Sequence, residues 1–162
     1  MKRVILTLVC VLVLFGYIHS QEIFELSPQE AYEMAKKPSS YLIDVKSIAE
    51  YVFVGHPEEA YNIPSSFWSE EEQGFLTNDT FIEDLTARFK KNDVLIFLCR
   101  SGGRSLSAEK KMVQAGYRKV FNLTQGFEGA KDENGYRTTG GWKNSGVAYT
   151  YDLDEKLVYK FN

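Results

Sequence analysis

Apolar and polar positions change period along this chain, switching between short continuous runs and helical spacing. Glu22–Leu26, Ala60–Pro64 and Lys119–Leu123 read as short strands. Tyr41–Val45, apolar apart from Asp44, and the unbroken apolar run Val94–Leu98 are of the kind buried in a parallel sheet, and the second is the strongest strand in the chain. Between them lie helical stretches. Ser27-Pro28-Gln29-Glu30 has the form of a capping box with proline in the first turn, continued by Ala31–Lys37 and broken by Pro38-Ser39-Ser40. Ile48–Phe53 reads as a helical turn. Thr80-Phe81-Ile82-Glu83 offers a second capping box, opening a helix with Ile82, Leu85 and Phe89 on one face. Leu106–Ala115 is a further helix, with Gly116 at its stop position.

The remaining segments read as connections. Gly55-His56-Pro57, Ser65–Gly74 and the turn Gly126–Gly129 are taken as loops, and Glu70-Glu71-Glu72 as a solvated face. Asp132–Gly146 is polar and glycine-rich, with Trp142 as its anchor, and Val147–Asn162 is read as an added edge strand. Trp68 and Trp142 are expected to cover the core. Strands alternating with helices predict one α/β domain with a mainly parallel central sheet flanked by helices. In such sheets, sites form at the carboxyl ends of strands.

The first residues change this inventory. Met1-Lys2-Arg3 is basic, Val4–Ile18 is almost wholly apolar, and Ser20 is small: the order of a secretory signal peptide. The apolar run is shorter than the roughly 20 residues that span a bilayer. Residues 1–20 are therefore read as a leader and 21–162 as the domain, with a core at 26–146 and a C-terminal extension at 147–162. A periplasmic or secreted location follows, without stable membrane association after cleavage. The mature chain then has 17 basic residues against 22 acidic ones, a net charge of −5 that argues against nucleic acid or an anionic membrane as partner. Cys99 and His56 are left as its single cysteine and single histidine. They provide neither a disulfide nor a metal cluster at the usual ligand spacings, and no cofactor is expected. His56, in a loop, is read as a structural hydrogen-bonder.

The chemistry concentrates directly after the strongest strand, in Cys99-Arg100-Ser101-Gly102-Gly103-Arg104-Ser105. The thiolate is the nucleophilic form of cysteine, and helix N-termini or adjacent cations stabilise it. Gly102 and Gly103 allow the backbone to curl so that successive N–H groups converge. A helix beginning near Ser105 aims its positive end at the same point, and Arg100 and Arg104 add permanent charge suited to an oxyanion. The expected result is a cradle for a sulfur anion or a small tetrahedral anion, floored by Cys99.

This loop resembles the active-site loop of the rhodanese family of sulfurtransferases. Leu42-Ile43-Asp44-Val45 with Glu50-Tyr51, Gly55–Pro64, Ala115-Gly116-Tyr117 and Val120–Gly126 are similar to that family as well. The likeness runs from about Leu26 to Trp142. It implies a rhodanese-like three-layer domain in which Cys99 takes a sulfane sulfur from a small anionic donor such as thiosulfate. The resulting persulfide would be discharged to cyanide or to an acceptor thiol, either a small molecule or a protein. Arg100, Ser101, Gly102, Gly103, Arg104 and Ser105 would form the cradle, with Arg104 holding the anion or the loop. Asp44 would brace the loop by pairing with an arginine. Many relatives carry arginine where this chain has Lys46, so the charge is kept there but the fork is not. Phosphatases with a similar loop place five residues between cysteine and arginine. Cys99 and Arg104 enclose four, which sets phosphatase or arsenate-reductase chemistry behind sulfur transfer. The other alternative is a non-catalytic rhodanese-like module that binds or senses an anion or partner. Asn78-Asp79-Thr80 and Asn122-Leu123-Thr124 also fit the glycosylation pattern.

Overall fold

The computed structural model of the protein describes residues 24–161, so the leader read at 1–20 lies outside the described residues. In chain order the elements are β1 (Glu25–Leu26), α1 (Pro28–Ala35), β2 (Ser40–Asp44), α2 (Ile48–Val54) and β3 (His56–Pro57). Then follow β4 (Tyr61–Asn62), β5 (Ser66–Ser69), β6 (Gly74–Thr77), α3 (Phe81–Arg88), β7 (Val94–Leu98) and α4 (Gly103–Gln114). The chain ends with β8 (Val120–Leu123), β9 (Ala130–Lys131), β10 (Arg137–Thr139) and β11 (Tyr149–Thr150). Five strands form a sheet in the order β1-β8-β7-β2-β4, every pairing parallel. This is the α/β architecture that the alternation of periods predicts.

The sheet is buried on both faces, which is why its strands read as continuous apolar runs. Ile43, Leu95 and Phe97 pack with Phe81, Leu85 and Phe89 from α3 and its end, and with Ala108 and Met112 of α4. Leu42, Ile96 and Leu98 point the other way, toward Ala31 of α1, Phe127 and Trp142. Trp142 is the expected anchor: it is buried, and its Nε1 donates to the Ala148 carbonyl at 2.9 Å. Trp68 departs from expectation. It is 56% exposed on β5 and packs edge-on against Phe75 rather than covering the core.

Capping follows the sequence once and departs from it once. The Ser27 hydroxyl accepts the Glu30 N–H while a Glu30 carboxylate oxygen accepts the Ser27 N–H, closing the predicted box. Thr80 has φ −90° and ψ 3°, not an extended cap conformation, and makes no side-chain cap. Its hydroxyl and N–H are engaged by the Asn78 side chain instead, and the helix turns Phe81, Leu85 and Phe89 inward while Ile82 is only partly buried. A box that the pattern reading left out closes at Ser47 and Glu50, opening α2.

Two segments read as loops pair as strands. β5 and β6 form an antiparallel hairpin whose turn carries the exposed Glu70, Glu71 and Glu72. His56–Pro57 pairs with β11, so the C-terminal extension supplies a strand, but to this small ribbon rather than to the main sheet. The same extension covers the edge of β4, where the Asn62 N–H donates to the Leu157 carbonyl at 2.8 Å. Both glycosylation-pattern asparagines are buried, and the Asn78 amide donates to the Pro64 carbonyl at 2.9 Å. The folded surface therefore presents neither side chain to a modifying enzyme.

Glu109 on α4 is 1% exposed. One carboxylate oxygen accepts the Phe24 N–H at 3.3 Å and the other has no hydrogen-bond partner. Burial pushes this carboxyl up to about 7 from 4.5. The folded state thus holds a proton that the unfolded chain releases near 4.5, so stability declines as pH rises from about 4.5 through about 7. Glu109→Gln keeps the acceptor and removes the charge. Its thermal unfolding temperature is expected to exceed that of wild type at pH 8, by the equivalent of about 2 kcal/mol, with little gain at pH 4.5.

Candidate active site

Strand alternation decides where the thiol goes. Leu95, Phe97 and Cys99 share the face packed by α3 and α4, because side chains two apart point the same way. Cys99 directly follows the last residue of β7, at the carboxyl end of the sheet's central strand. The chain then turns through Gly102, whose φ of 99° is left-handed, and enters α4 at Gly103. Gly102 donates its N–H to the Cys99 sulfur at 3.2 Å. The Ser105 hydroxyl lies 3.5 Å from that sulfur and 3.0 Å from its nearer acceptor, the Gly102 carbonyl. The first-turn N–H groups of α4 have no acceptor four residues back, and the positive end of the helix lies beside the sulfur. Cys99 is 1% exposed, while Ser101 and Gly103 are exposed at the rim.

A second turn supports the loop from behind. Phe127 donates its N–H to the Cys99 carbonyl at 2.7 Å and Glu128 donates to Arg100 at 2.9 Å. Gly126 has a φ of 64°, and a Cβ there would stand 2.4 Å from the Cys99 carbonyl oxygen and 2.8 Å from the Ser101 and Gly102 nitrogens. Only glycine lets the two turns approach so closely.

Both arginines of the loop meet carboxylates. Arg104 forms an end-on bidentate pair with Glu50, at 2.7 and 2.8 Å, and Arg100 pairs with Glu128. Both cations therefore tie the loop to the body, and the described donors to the sulfur are an amide and a hydroxyl. Asp44 pairs with Lys46, not with an arginine: both side chains are fully buried, and the Asp44 carboxylate also accepts the Lys46 N–H at 3.0 Å. The Lys46 ammonium lies 4.5 Å from the centre of the Phe127 ring, and the Asn62 amide clamps the Asp44 and Lys46 carbonyls. The pair therefore stiffens the strand end next to the loop. His56 is buried, stacked on Tyr51 at 3.6 Å, and its Nδ1 lies 3.1 Å from the Pro57 carbonyl. Burial pushes its pKa down from 6.5, which favours the neutral ring.

Residues 27–133 match the family model of the rhodanese-like domain. The chain belongs to the rhodanese-like family. Rv0390 from M. tuberculosis is similar in structure, with a TM-score of 0.69 and 32% identity over 79% of this chain and 97% of that one. Among curated relatives, the senescence-associated protein DIN1 of Raphanus sativus is 32% identical over 60% of this chain. This chain spans about half the length of that relative, 51%. Thiosulfate sulfurtransferase 18 of Arabidopsis thaliana is 30% identical over 67% of this chain and 78% of its own length. The family match ends before the C-terminal extension that builds β11 and covers β4.

Glu50, Glu128 and Gly126 hold this rhodanese-like loop, and the sequence reading gave none of them that role. Glu50 had a local signal, the Ser47-x-x-Glu50 capping box, yet only the fold shows its second duty toward Arg104. Burial pushes its carboxyl up, but the Arg104 guanidinium and the Ser47 donors outweigh burial and hold it below the usual 4.5. A carboxyl depressed in this way stabilises the fold above its unfolded value, and that contribution is lost as pH falls through the folded one. Glu50→Gln is expected to cost about 1–2 kcal/mol at pH 7 in denaturant unfolding, with the difference from wild type vanishing in strong acid.

Proposed function

We propose that the protein is an exported sulfurtransferase working through a Cys99 persulfide. The observation that carries this reading is the Cys99 sulfur itself, set at the end of the central strand under the Gly102 amide and the N-terminus of α4. Family membership and relatives named thiosulfate sulfurtransferase support it. In the first step the Cys99 thiolate attacks the outer sulfur of thiosulfate. The S–S bond of the donor breaks, and sulfite leaves with the electron pair. In the second, an acceptor thiolate attacks the terminal sulfur of the persulfide, forming its own persulfide and returning Cys99 as thiolate. No external base is required, which suits a neutral, stacked His56. Amide and hydroxyl donors stabilise the sulfur anion, while Arg104–Glu50 and Arg100–Glu128 keep the loop in place. Export is supported by the basic, apolar, small order of residues 1–20.

The mature protein incubated with thiosulfate is expected to gain one sulfur atom by intact mass spectrometry, and to lose it on addition of a thiol. A protein that gains no sulfur from any sulfane donor refutes the enzyme reading. A binding module is the second reading, favoured by the commitment of both loop arginines to carboxylates.

A further inference from the structure

One face of α4 leads away from the Cys99 loop. Arg104, Ser107, Ala108 and Lys111 stand at i, i+3, i+4 and i+7, the spacing of a single helical stripe. Opposite them lie Ser65, Ser66 and Thr77, at the base of the β5–β6 hairpin, and together these walls bound a cavity of about 190 Å³. Its floor is Phe81 and Ala108, which belong to the same packed cluster as Cys99. The groove is therefore polar at its sides and shares Arg104 with the active-site loop.

Both of its cations have donors to spare. The bidentate contact with Glu50 uses two of the five guanidinium N–H donors of Arg104. Lys111 makes no ion pair among the described residues, and its ammonium lies 5.9 Å from the centre of the Phe81 ring. Lys111 lies seven positions along the helix from Arg104, a rise of about 10 Å. The cavity is too small for a folded partner and suits one extended, negatively charged group. Hydroxyls plus an unpaired ammonium match a carboxylate.

We infer that this groove is a carboxylate-binding site for the thiol that discharges Cys99, with Lys111 as the residue that selects acceptors bearing a carboxylate distant from their sulfur. The inference rests on the sulfurtransferase reading for its function, but the site can be tested without turnover. S-methylglutathione has carboxylates and no free thiol, and titrated into the full-length mature protein it is expected to shift the backbone amides of Thr77, Ser107 and Lys111 in NMR spectra. Lys111→Ala is expected to weaken that binding about 3- to 5-fold, Lys111→Glu more, and Lys111→Arg to retain it. In persulfide discharge, the ratio of KM for glutathione to KM for 2-mercaptoethanol should rise by the same factor in Lys111→Ala. Mercaptoacetate, whose carboxylate is one carbon from its sulfur, should follow 2-mercaptoethanol. Binding and KM ratios that ignore the Lys111 substitutions overturn the inference, even if the protein loads sulfur normally. Lys111-dependent binding by a protein that never accepts sulfur keeps the site and overturns the enzyme reading.

Discussion

Cys99→Ser is expected to abolish sulfur uptake from thiosulfate and to lower sulfur transfer by about 10³-fold or more. An alcohol is not ionised near neutral pH and cannot carry a persulfide. Serine is close to cysteine in volume, and its hydroxyl can still accept from the Gly102 amide, so the fold should persist. Thermal unfolding within about 1 kcal/mol of wild type, beside a silent mass spectrum, isolates the chemical role. Retention of more than about a tenth of the activity would mean that Cys99 is not the sulfur carrier. Cys99 is the only cysteine among the described residues, so no neighbouring thiol is placed to take its part.

Asp44→Ala has the largest expected effect on stability. It leaves the Lys46 ammonium fully buried without its carboxylate, since both members of the pair have no exposed side-chain surface. Removing one member of such a pair costs about 3–5 kcal/mol, against a total stability of about 5–15 kcal/mol for a domain. Denaturant midpoints of the two proteins measure the loss. The double variant Asp44→Leu/Lys46→Met should recover much of it, because an apolar pair avoids the desolvation that the charges incur. A single-variant loss below about 1 kcal/mol would mean that Lys46 can swing out to water. Activity should fall along with stability. Val45 donates its N–H to the Leu98 carbonyl, so a disordered end of β2 loosens the residue before Cys99.

These two residues also show how unevenly the site can be read from sequence. Cys99 and its loop stand out because the signal is contiguous: an apolar run, then glycines and arginines, then a helix ending at Gly116, whose φ is 91°. Asp44 stands out by its place after Leu42-Ile43, but its partner does not. The expectation of an arginine gave way to Lys46, two residues on, because the fully buried carboxylate is met by the ammonium alongside it. The β5–β6 hairpin hid for another reason. Its side chains are exposed or half-buried on both faces, so the period-2 contrast that marks a one-sided strand is weak.

What the sequence determined by itself is the local order of strand, cysteine loop and helix, with the parallel sheet that such alternation builds. Hydrophobic period and backbone preference act over a few residues, and a single chain displays them in full. Only the tertiary structure decided what the loop's charges do. Glu50 lies 54 residues from Arg104, and Glu128 lies 28 from Arg100. Which carboxylate meets which guanidinium depends on how strands and helices are arranged around the sheet. That arrangement makes both arginines braces of the loop, around a thiol held by backbone amide and helix end.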